Sequence, residues 1–201
     1  MRRIHMFNRV SADGYFATPS GGLDWAVAEP TMEAQIGMGL DSSGEGTMLF
    51  GRKTYDGFES FWPNAIKQAP SAPAPHGEAR QSEALYKMGV HIDNARKIVF
   101  SRSRERVTWR NSELVRDFDP KMIEELKAGK GGDIMIFGSG SIVSLLAQHG
   151  LIDDYTFVVS PILLGSGRSI FTGKEIHRKL ALVEAKSFPQ GNVVMRYRAM
   201  A

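Results

Sequence analysis

Residues 47–55 read TMLFGRKTY, an apolar run with the character of a buried strand that ends in Gly-Arg-Lys-Thr. A glycine followed by two cations and a hydroxyl at a helix start is typical of an anion site, because the first N–H groups of a helix are free to bind a phosphate. The same residues also suit an ordinary turn from strand to helix with solvated basic side chains. On this stretch alone, the ordinary turn is favoured.

Two more compact apolar strands extend the pattern, KIVFS at 97–101 and DIMIFG at 133–138. Between them, Asp119 and Pro120 form a typical helix start. Near the C-terminus, LALVEAKSF and VVMRYR flank the turn sequence PQGN and predict an antiparallel hairpin. This order predicts an α/β fold with a central, mostly parallel mixed sheet, helices on both faces and the hairpin at its edge.

The 201 residues are expected to form one domain, 1–201, because no interdomain linker or repeat is visible. A proline-rich stretch at about 64–92 is predicted to be a long loop or lid, interrupted by a short helix at 83–88. The helix before it is expected to end at Trp62-Pro63, and a further weak helix is predicted over 32–40.

Composition removes several classes of function. The formal net charge of +3 is too small to indicate a nucleic-acid surface, which normally carries a dense basic stripe. The absence of cysteine excludes disulfides, thiolate metal sites and cysteine nucleophiles, and none of the five histidines has ligand spacing, so no metal is expected. No stretch approaches transmembrane length or has a signal-peptide pattern, so we expect a cytoplasmic protein that begins at Met1.

The ends of the three strands read GRKT, SRS and GSGS. Ligands of open parallel sheets bind beyond the carboxyl ends of strands, so these loops are expected to share one site. Arg52 and Arg102, with Lys53, Ser101 and Ser103 beside them, suit a ribose that carries a 2′-phosphate better than a free ribose, which usually meets a carboxylate. If a nicotinamide cofactor binds, the sequence favours NADP.

The glycine cluster at 138–143, GSGSIV, is a poor match to the Rossmann fingerprint, because Val143 stands at the third glycine position and no acidic residue follows about 20 positions later. It also lacks the Lys-Ser/Thr pair of a Walker A loop. Taken by itself, this cluster is as suitable for a tight turn as for a ligand loop.

Taken in order, GRKTY, KIVFS, IMIFGSGSIV and LLGSGRSIF resemble the dihydrofolate reductase-like superfamily, in the branch similar to the C-terminal reductase domain of bifunctional riboflavin-biosynthesis enzymes. The resemblance covers nearly the whole chain and implies an NADPH-binding fold and a homodimer. Its implied cofactor contacts are Gly51, Arg52, Lys53, Thr54, Ser101, Arg102, Gly138, Ser139, Gly140, Ser141 and Ile142. Its implied substrate contacts are Ala12, Asp13, Gly14, Trp25, Leu164, Gly165 and Gly167.

The resemblance leaves the proton donor open between Asp13, Asp24 and a bound water. Dihydrofolate reductases carry a carboxylate on the helix after the first loop, and no clear motif surrounds Asp24, so folate is not favoured as the substrate. Asp13 precedes Gly14 and is equally suited to an Asx turn. Taken by itself, Trp25 is better suited to core packing than to stacking on a ligand, because burial is the commoner use of an aromatic ring. The zinc deaminase half of the bifunctional enzymes needs cysteine ligands, so at most the reductase half is present.

The leading hypothesis is therefore an NADPH-dependent reductase that transfers hydride to a C=N or C=O group of a small heterocyclic or sugar-derived substrate. The alternative is a non-catalytic nucleotide-binding or regulatory module on the same fold. A weaker third reading, nucleic-acid binding, rests only on the sequence pI of about 9.2. No membrane or nucleic-acid partner is expected.

Overall fold

The computed structural model describes residues 1–27, 29, 32, 46–67, 73–74, 77–80, 83–173 and 175–200. Its strands are β1 (Ile4–Ser11), β2 (Thr47–Gly51), β3 (Pro73–Ala74), β4 (Gly77–Arg80), β5 (Arg96–Phe100), β6 (Ser112–Val115), β7 (Ile134–Phe137), β8 (Asp154–Ser160), β9 (Leu180–Ser187) and β10 (Val193–Ala199). The helices of these ranges are α1 (Arg52–Lys67), α2 (Glu83–Asn94), α3 (Pro120–Ala128) and α4 (Gly140–Gln148).

Eight strands form one sheet in the order β6-β5-β2-β7-β1-β8-β10-β9. The first six run parallel to one another, while β10 pairs antiparallel with both β8 and β9. The predicted mixed sheet and C-terminal hairpin are therefore confirmed. Strand β6 was not predicted, because its four residues, SELV, are all only partly buried and give no apolar run.

The core lies on both faces of the sheet. One cluster is mainly aliphatic and includes Ile4, Ile134 and Leu146, and the other is rich in aromatic rings and includes Phe50, Tyr55 and Trp62. The central strand β2 is buried along all five residues, as expected for a parallel strand covered on both faces. This double burial explains why the three compact strands could be recognised as short, uninterrupted apolar runs.

One helix begins where the sequence predicts, whereas another continues past its predicted end. Asp119 caps α3 by accepting a hydrogen bond from the N–H of Lys121 at 2.9 Å, as predicted. The prediction that the first long helix ends at Pro63 is wrong, because α1 continues to Lys67. A proline inside a helix costs about 3 kcal/mol. Burial of Trp62 and Ala65 on either side of Pro63 offsets this cost.

The predicted loop at 64–92 is likewise largely replaced by regular structure. Helix α1 occupies its start, α2 occupies its end and runs past residue 88, and the short strands β3 and β4 pair between them. The helix predicted over 32–40 lies outside the described residues, apart from Met32. Within the described residues, no helix is both long and apolar enough to cross a bilayer.

Candidate active site at the carboxyl edge of the sheet

The three loops singled out in the sequence lie side by side, because β5, β2 and β7 are neighbouring parallel strands. The N–H of Gly51, the last residue of β2, donates to Ser139 Oγ at 2.6 Å and joins two of these loops. A Cβ at position 51 would also lie 2.6 Å from that oxygen. A larger residue at position 51 would therefore displace the Ser139 side chain and break the hydrogen bond that joins the two loops.

The loop after β7 turns sharply into α4. Gly138 and Ser139 both have left-handed backbones, with φ of 59° and 58°, and α4 begins at Gly140. The first N–H groups of any helix have no intrahelical acceptor. Since α1 begins at Arg52, directly after β2, the N-termini of α1 and α4 both open at this edge. Two helix N-termini at one place favour binding of negatively charged groups.

A cleft of about 1210 Å³ runs along this edge. The predicted cofactor and substrate residues that line it are Gly51, Arg52, Lys53, Thr54, Ser101, Arg102, Gly138, Ser139, Gly140, Ser141 and Gly167. Ile142 differs from them, since its side chain is 5% exposed and packs in the aliphatic core. The loops therefore form one continuous surface, and Ile142 supports that surface from behind.

Two arginines of the cleft lining present their charge to solvent. Arg52 pairs with Asp56 at 3.0 Å, and Arg102 pairs with Asp117 at 2.9 Å. The Arg102 side chain is 82% exposed. Exposed ion pairs contribute only about 0–1 kcal/mol, so either arginine can exchange its carboxylate for a phosphate at small cost.

The loop after β5 is held in place by side-chain contacts to its backbone. Ser101 Oγ accepts a hydrogen bond from the N–H of Arg104 at 3.0 Å. The guanidinium of Arg116 donates to the carbonyls of Ser101 at 3.3 Å and Arg102 at 3.4 Å, and also to the carbonyl of Arg104. Arg116 therefore gives the predicted phosphate-binding loop its shape without lining the cleft.

Asp13, one of the two predicted proton donors, is engaged elsewhere. Its carboxylate accepts hydrogen bonds from Ser11 Oγ at 2.6 Å, from the N–H of Leu164 at 3.2 Å and from the N–H of Gly165 at 2.7 Å. The bond from Ser11, followed by those from the two N–H groups, lowers the pKa of Asp13. Asp13 thus fastens the loop after β1 to the loop after β8, and this ionised state disfavours a role as proton donor.

The remaining predicted substrate residues surround the cleft rather than line it. The N–H of Ala12 donates to the carbonyl of Ile162 at 2.8 Å, and Gly14 has a φ of 87°, so both belong to the turn beside Asp13. Trp25 is 8% exposed and its indole N–H donates to the carbonyl of Gly22 at 3.2 Å, which is a packing role. Asp24 is exposed and lies outside the lining, although Leu23 and Ala26 contribute to it.

Several lining residues were not predicted as site residues. They are Phe7, Asn8, Arg9, Phe16, Ala17, Gly21, Leu23, Ala26, Gly57, Phe58, Phe61, Trp62, Met88, Phe100, Phe137, Arg168, Ser169 and Thr172, whereas Ser103, which also lines the cleft, was expected beside Arg102. The helical spacing of the aromatic residues in α1 was visible in the sequence, but it is equally typical of core packing. The ring of Phe16 lies against Gly140, where an added Cβ would be 2.6 Å from the ring.

The described lining is also notable for its chemistry. It contains hydroxyls, cations, backbone N–H groups and aromatic rings, and none of its described residues is an Asp, Glu or His. Likewise, no cluster of possible metal ligands occurs within the described part of the chain. The donor set suits a ligand with several phosphate groups and a flat ring, and a dinucleotide such as NADPH has both features.

Comparison with known proteins identifies a matching family and several relatives. The family profile described as the RibD C-terminal domain matches residues 2–194. Among curated proteins, the uncharacterized protein YyaP of Bacillus subtilis is 26% identical over 197 residues, which is 98% of this chain and 94% of YyaP.

Solved structures show the same fold. A candidate riboflavin biosynthesis protein of Shewanella sp. PV-4 has a TM-score of 0.68 and 21% identity, with 99% of each chain covered. The Thermotoga maritima diaminohydroxyphosphoribosylaminopyrimidine deaminase/5-amino-6-(5-phosphoribosylamino)uracil reductase has a TM-score of 0.62 and 16% identity, covering 99% of this chain and 57% of that one. Dihydrofolate reductase of Enterococcus faecalis has a TM-score of 0.56 and 11% identity, covering 99% and 97%. The predicted dihydrofolate reductase-like fold is confirmed.

Proposed function

Because the chain belongs to the RibD C-terminal domain family, we propose that it is a reductase that uses NADPH to reduce a C=N or C=O group of a small substrate. The observation that carries this proposal is the meeting of three loops at one edge of the sheet, where Gly51 and Ser139 are joined by a 2.6 Å hydrogen bond. The Enterococcus dihydrofolate reductase of similar fold was solved with NADP(H), which supports the same use of this cleft.

Each loop would have a distinct part in holding the cofactor. The N-termini of α1 and α4 would bind the pyrophosphate through backbone N–H groups. Arg52 and Arg102, which line the cleft together with Ser101, would bind the 2′-phosphate by charge-assisted hydrogen bonds. NADPH, when bound, supplies the hydride, and the residues of this chain orient the two reactants and exclude water.

The reduction also needs a proton. Since Asp13 is held ionised by Ser11 and two N–H groups, and since no carboxylate or imidazole occurs among the described lining residues, we infer that the proton comes from water. A reductase of this kind would show no catalytic pKa from Asp13 in its pH profile. The Asp13→Asn variant should destabilise the loop after β1 but leave the rate of the chemical step unchanged.

The substrate named for the Thermotoga protein, 5-amino-6-(5-phosphoribosylamino)uracil, is the first compound to try with this chain. This chain contains no cysteine to bind zinc, so the deaminase activity of that larger protein is not expected of it. The decrease in NADPH absorbance would measure the reduction directly.

A titration with NADPH and NADH tests the cofactor assignment. Tryptophan emission would report binding, since Trp62 lines the cleft. Thermal unfolding would report it independently, because a ligand at 100 times its Kd stabilises the folded protein by about 2.7 kcal/mol. We expect wild-type protein to prefer NADPH. The double variant Arg52→Ala/Arg102→Ala should lose roughly 10-fold to 100-fold in NADPH affinity, with NADH affinity little changed, because hydrogen bonds to charged groups contribute about 1.5–3 kcal/mol.

Arg96 provides the matched control for these variants. It is also a surface arginine paired with a carboxylate, Glu113 at 2.7 Å, but it lies at the amino end of β5, on the opposite edge of the sheet. Arg96→Ala should leave both affinities unchanged. An equal loss of NADPH and NADH in the double variant would contradict the assignment of Arg52 and Arg102 to the 2′-phosphate.

The non-catalytic module is the second candidate, and the lack of an acidic or imidazole group among the described lining residues favours it. It predicts tight binding of NADPH with no consumption of NADPH in the presence of carbonyl or imine substrates.

The implied homodimer is a separate proposal. Light scattering during size-exclusion chromatography would show twice the 22.2 kDa chain mass if it forms.

A further inference from the structure

The loop after β5 carries a further arginine, Arg104, which does not line the cleft. Arg104 follows Arg102 by two residues, but its side chain is only 20% exposed and lies against α1. Its Cζ atom is 4.7 Å from the centroid of the Tyr55 ring, which is a favourable cation–π distance. Arg104 therefore cannot act on a ligand of the cleft directly, and any effect must pass through the residues that it contacts.

The guanidinium of Arg104 joins two carboxylates of α1. Nη1 pairs with Oδ1 of Asp56, and Nη2 pairs with Oε2 of Glu59. The two acids are three residues apart, which places them on one face of the helix. Because the planar guanidinium offers its N–H groups in a fixed fork, it can hold both acids at once.

Asp56 is shared between Arg104 and an arginine of the cleft. Its Oδ1 pairs with Arg104, while its Oδ2 accepts a hydrogen bond from Nη1 of Arg52 at 3.0 Å. Among the described residues, Arg52 thus meets Asp56 through one nitrogen, and its side chain is 45% exposed. Without Arg104, both oxygens of Asp56 could form a bidentate pair with Arg52, which is a favoured geometry for arginine and a carboxylate. Such a pair would occupy N–H groups that a phosphate needs.

Charge acts in the same direction. The phosphate proposed to bind at Arg52 is negative, and the nearby carboxylate of Asp56 would repel it. Arg104 places a positive charge on the other oxygen of Asp56 and reduces this repulsion. The Asp56 side chain is 38% exposed, so solvent screens part of the effect. We therefore expect Arg104 to change phosphate affinity by several-fold and not by orders of magnitude.

The connection between β5 and β6 has other contacts to α1 besides Arg104. Glu59 Oε1 accepts hydrogen bonds from Thr108 Oγ1 at 2.7 Å, from the N–H of Trp109 at 3.1 Å and from the hydroxyl of Tyr55 at 3.1 Å. Desolvation alone would raise the pKa of Glu59, but the hydrogen bonds from Thr108, Arg104 and Tyr55 together lower it. Glu59 can therefore still hold this connection when Arg104 is replaced.

We propose that Arg104 is a positioning residue for cofactor selection. By holding one oxygen of Asp56, it leaves Arg52 able to bind the 2′-phosphate that distinguishes NADPH from NADH. This inference rests on the proposed function and adds to it a residue outside the cleft. Neither Arg104 nor Asp56 would touch the cofactor, since neither lines the cleft.

Replacement of Arg104 tests the proposal. Arg104→Met removes the charge and keeps an apolar side chain over the Tyr55 ring. In calorimetric titrations of the full chain, NADPH affinity should fall by about 5-fold to 10-fold, because Asp56 would then compete for Arg52. NADH affinity should stay within about 2-fold, since NADH has no 2′-phosphate.

Arg110→Met is the matched control. Arg110 lies in the same connection between β5 and β6 and pairs with Asp93 of α2 at 3.0 Å, but it does not line the cleft or contact Asp56. This variant should leave both affinities within about 2-fold of wild type. A loss of NADPH preference in Arg110→Met equal to that in Arg104→Met would show a general effect of surface charge and would overturn the proposal.

A double variant separates positioning from support of the loop. Asp56→Asn/Arg104→Met also removes the competing carboxylate, so NADPH affinity should return to within about 2-fold of wild type. A loss as large as in Arg104→Met alone would mean that Arg104 only supports the loop, and the proposal would be wrong. Should Arg104→Met not fold, Asp56→Asn alone should raise NADPH affinity by about 2-fold to 3-fold with NADH unchanged. An unchanged or reduced NADPH affinity would then reject the proposal.

The wild-type titration distinguishes this inference from the proposed function. If the wild-type protein binds neither cofactor, or binds both equally, the assignment of Arg52 and Arg102 to the 2′-phosphate fails, and the role of Arg104 fails with it. If the wild type prefers NADPH and Arg104→Met keeps that preference, the cofactor assignment stands and only the role of Arg104 is rejected.

Discussion

Cations at the two edges of the sheet have the same chemistry but opposite surroundings. At the carboxyl edge, Arg52 and Arg102 are exposed and meet single surface carboxylates. At the amino edge, Lys97 is fully buried, and its ammonium donates to the carbonyls of Asp93 at 2.8 Å, Ala95 at 2.9 Å and Arg110 at 3.2 Å. The first arrangement leaves charge for a ligand, whereas the second uses up every donor inside the fold.

Lys127 shows the same contrast on the amino side. It is 7% exposed, and its ammonium bonds to the carbonyl of Leu151 at 3.1 Å and pairs with Asp153 at 2.8 Å. Parallel strands explain the division, since helix N-termini with free N–H groups gather at one edge and helix C-termini with free carbonyls at the other. A lysine or arginine near a helix C-terminus therefore tends to stabilise the fold, and one near an N-terminus tends to bind ligands.

The strongest test of this contrast removes a buried cation. Lys127→Ala should lower the free energy of unfolding by about 2–4 kcal/mol, because it leaves Asp153 and a buried carbonyl without their partner. It should leave NADPH affinity unchanged. Urea denaturation measures the stability, and Lys121→Ala, an exposed lysine of the same helix, is the control expected to stay within about 0.5 kcal/mol. If Lys127→Ala lowered the free energy of unfolding by less than about 1 kcal/mol, the claim that buried cations at the amino edge stabilise the fold would be contradicted.

Lys97 allows a pH test of burial at the amino edge. Desolvation lowers the pKa of Lys97 to about 8, whereas an unfolded lysine titrates near 10.5. Between these values the unfolded state holds more protons, so stability should rise with pH, by about 2 kcal/mol from pH 8 to pH 10. Below about pH 7 this contribution should be constant, because the ammonium is then protonated in both states. Denaturation of wild type against Lys97→Met across this range measures the difference, and parallel pH curves for the two proteins would refute the burial effect.

Gly51 allows a smaller test at the carboxyl edge. A Cβ in Gly51→Ala would press on Ser139 Oγ, so the Ser139 side chain must shift and its hydrogen bond from the N–H of residue 51 is lost. We expect a loss of about 1–3 kcal/mol in stability. NADPH affinity should fall by about 10-fold, because the two helix N-termini would no longer converge. Gly57→Ala is the matched control, since no atom of the described residues lies within 4 Å of its added Cβ. The change should stabilise α1 by about 0.5–1 kcal/mol. Similar behaviour of both variants would contradict the close-approach argument.

Local patterns in the chain predicted much of this fold because their causes are local. The buried strands are uninterrupted apolar runs, Asp119 caps its own helix, and the turn that contains Gly191, with a φ of 87°, closes the C-terminal hairpin. The loop sequences GRKT, SRS and GSGS were also recognised, because glycines and cations at strand ends are unusual in any context. Each of these signals is complete within a few residues.

Other features depended on contacts between distant residues. Asp13 is bound by Gly165, 152 positions away, so the sequence left its role open between a turn and a catalytic acid. Pro63 was expected to end a helix that the burial of Trp62 and Ala65 continues. The helical spacing of the aromatic residues in α1 is typical of a packing face, and only the tertiary structure shows that Phe58, Phe61 and Trp62 also border the cleft.

The sequence by itself therefore determined the compact apolar strands, the C-terminal hairpin and the set of polar loops, because backbone geometry and burial periodicity act over short distances. The tertiary structure decided which loops meet, which carboxylate is already engaged and which rings face open space. Those outcomes depend on pairs of residues far apart in the chain, whose contact forms only when the strands take their order in the sheet.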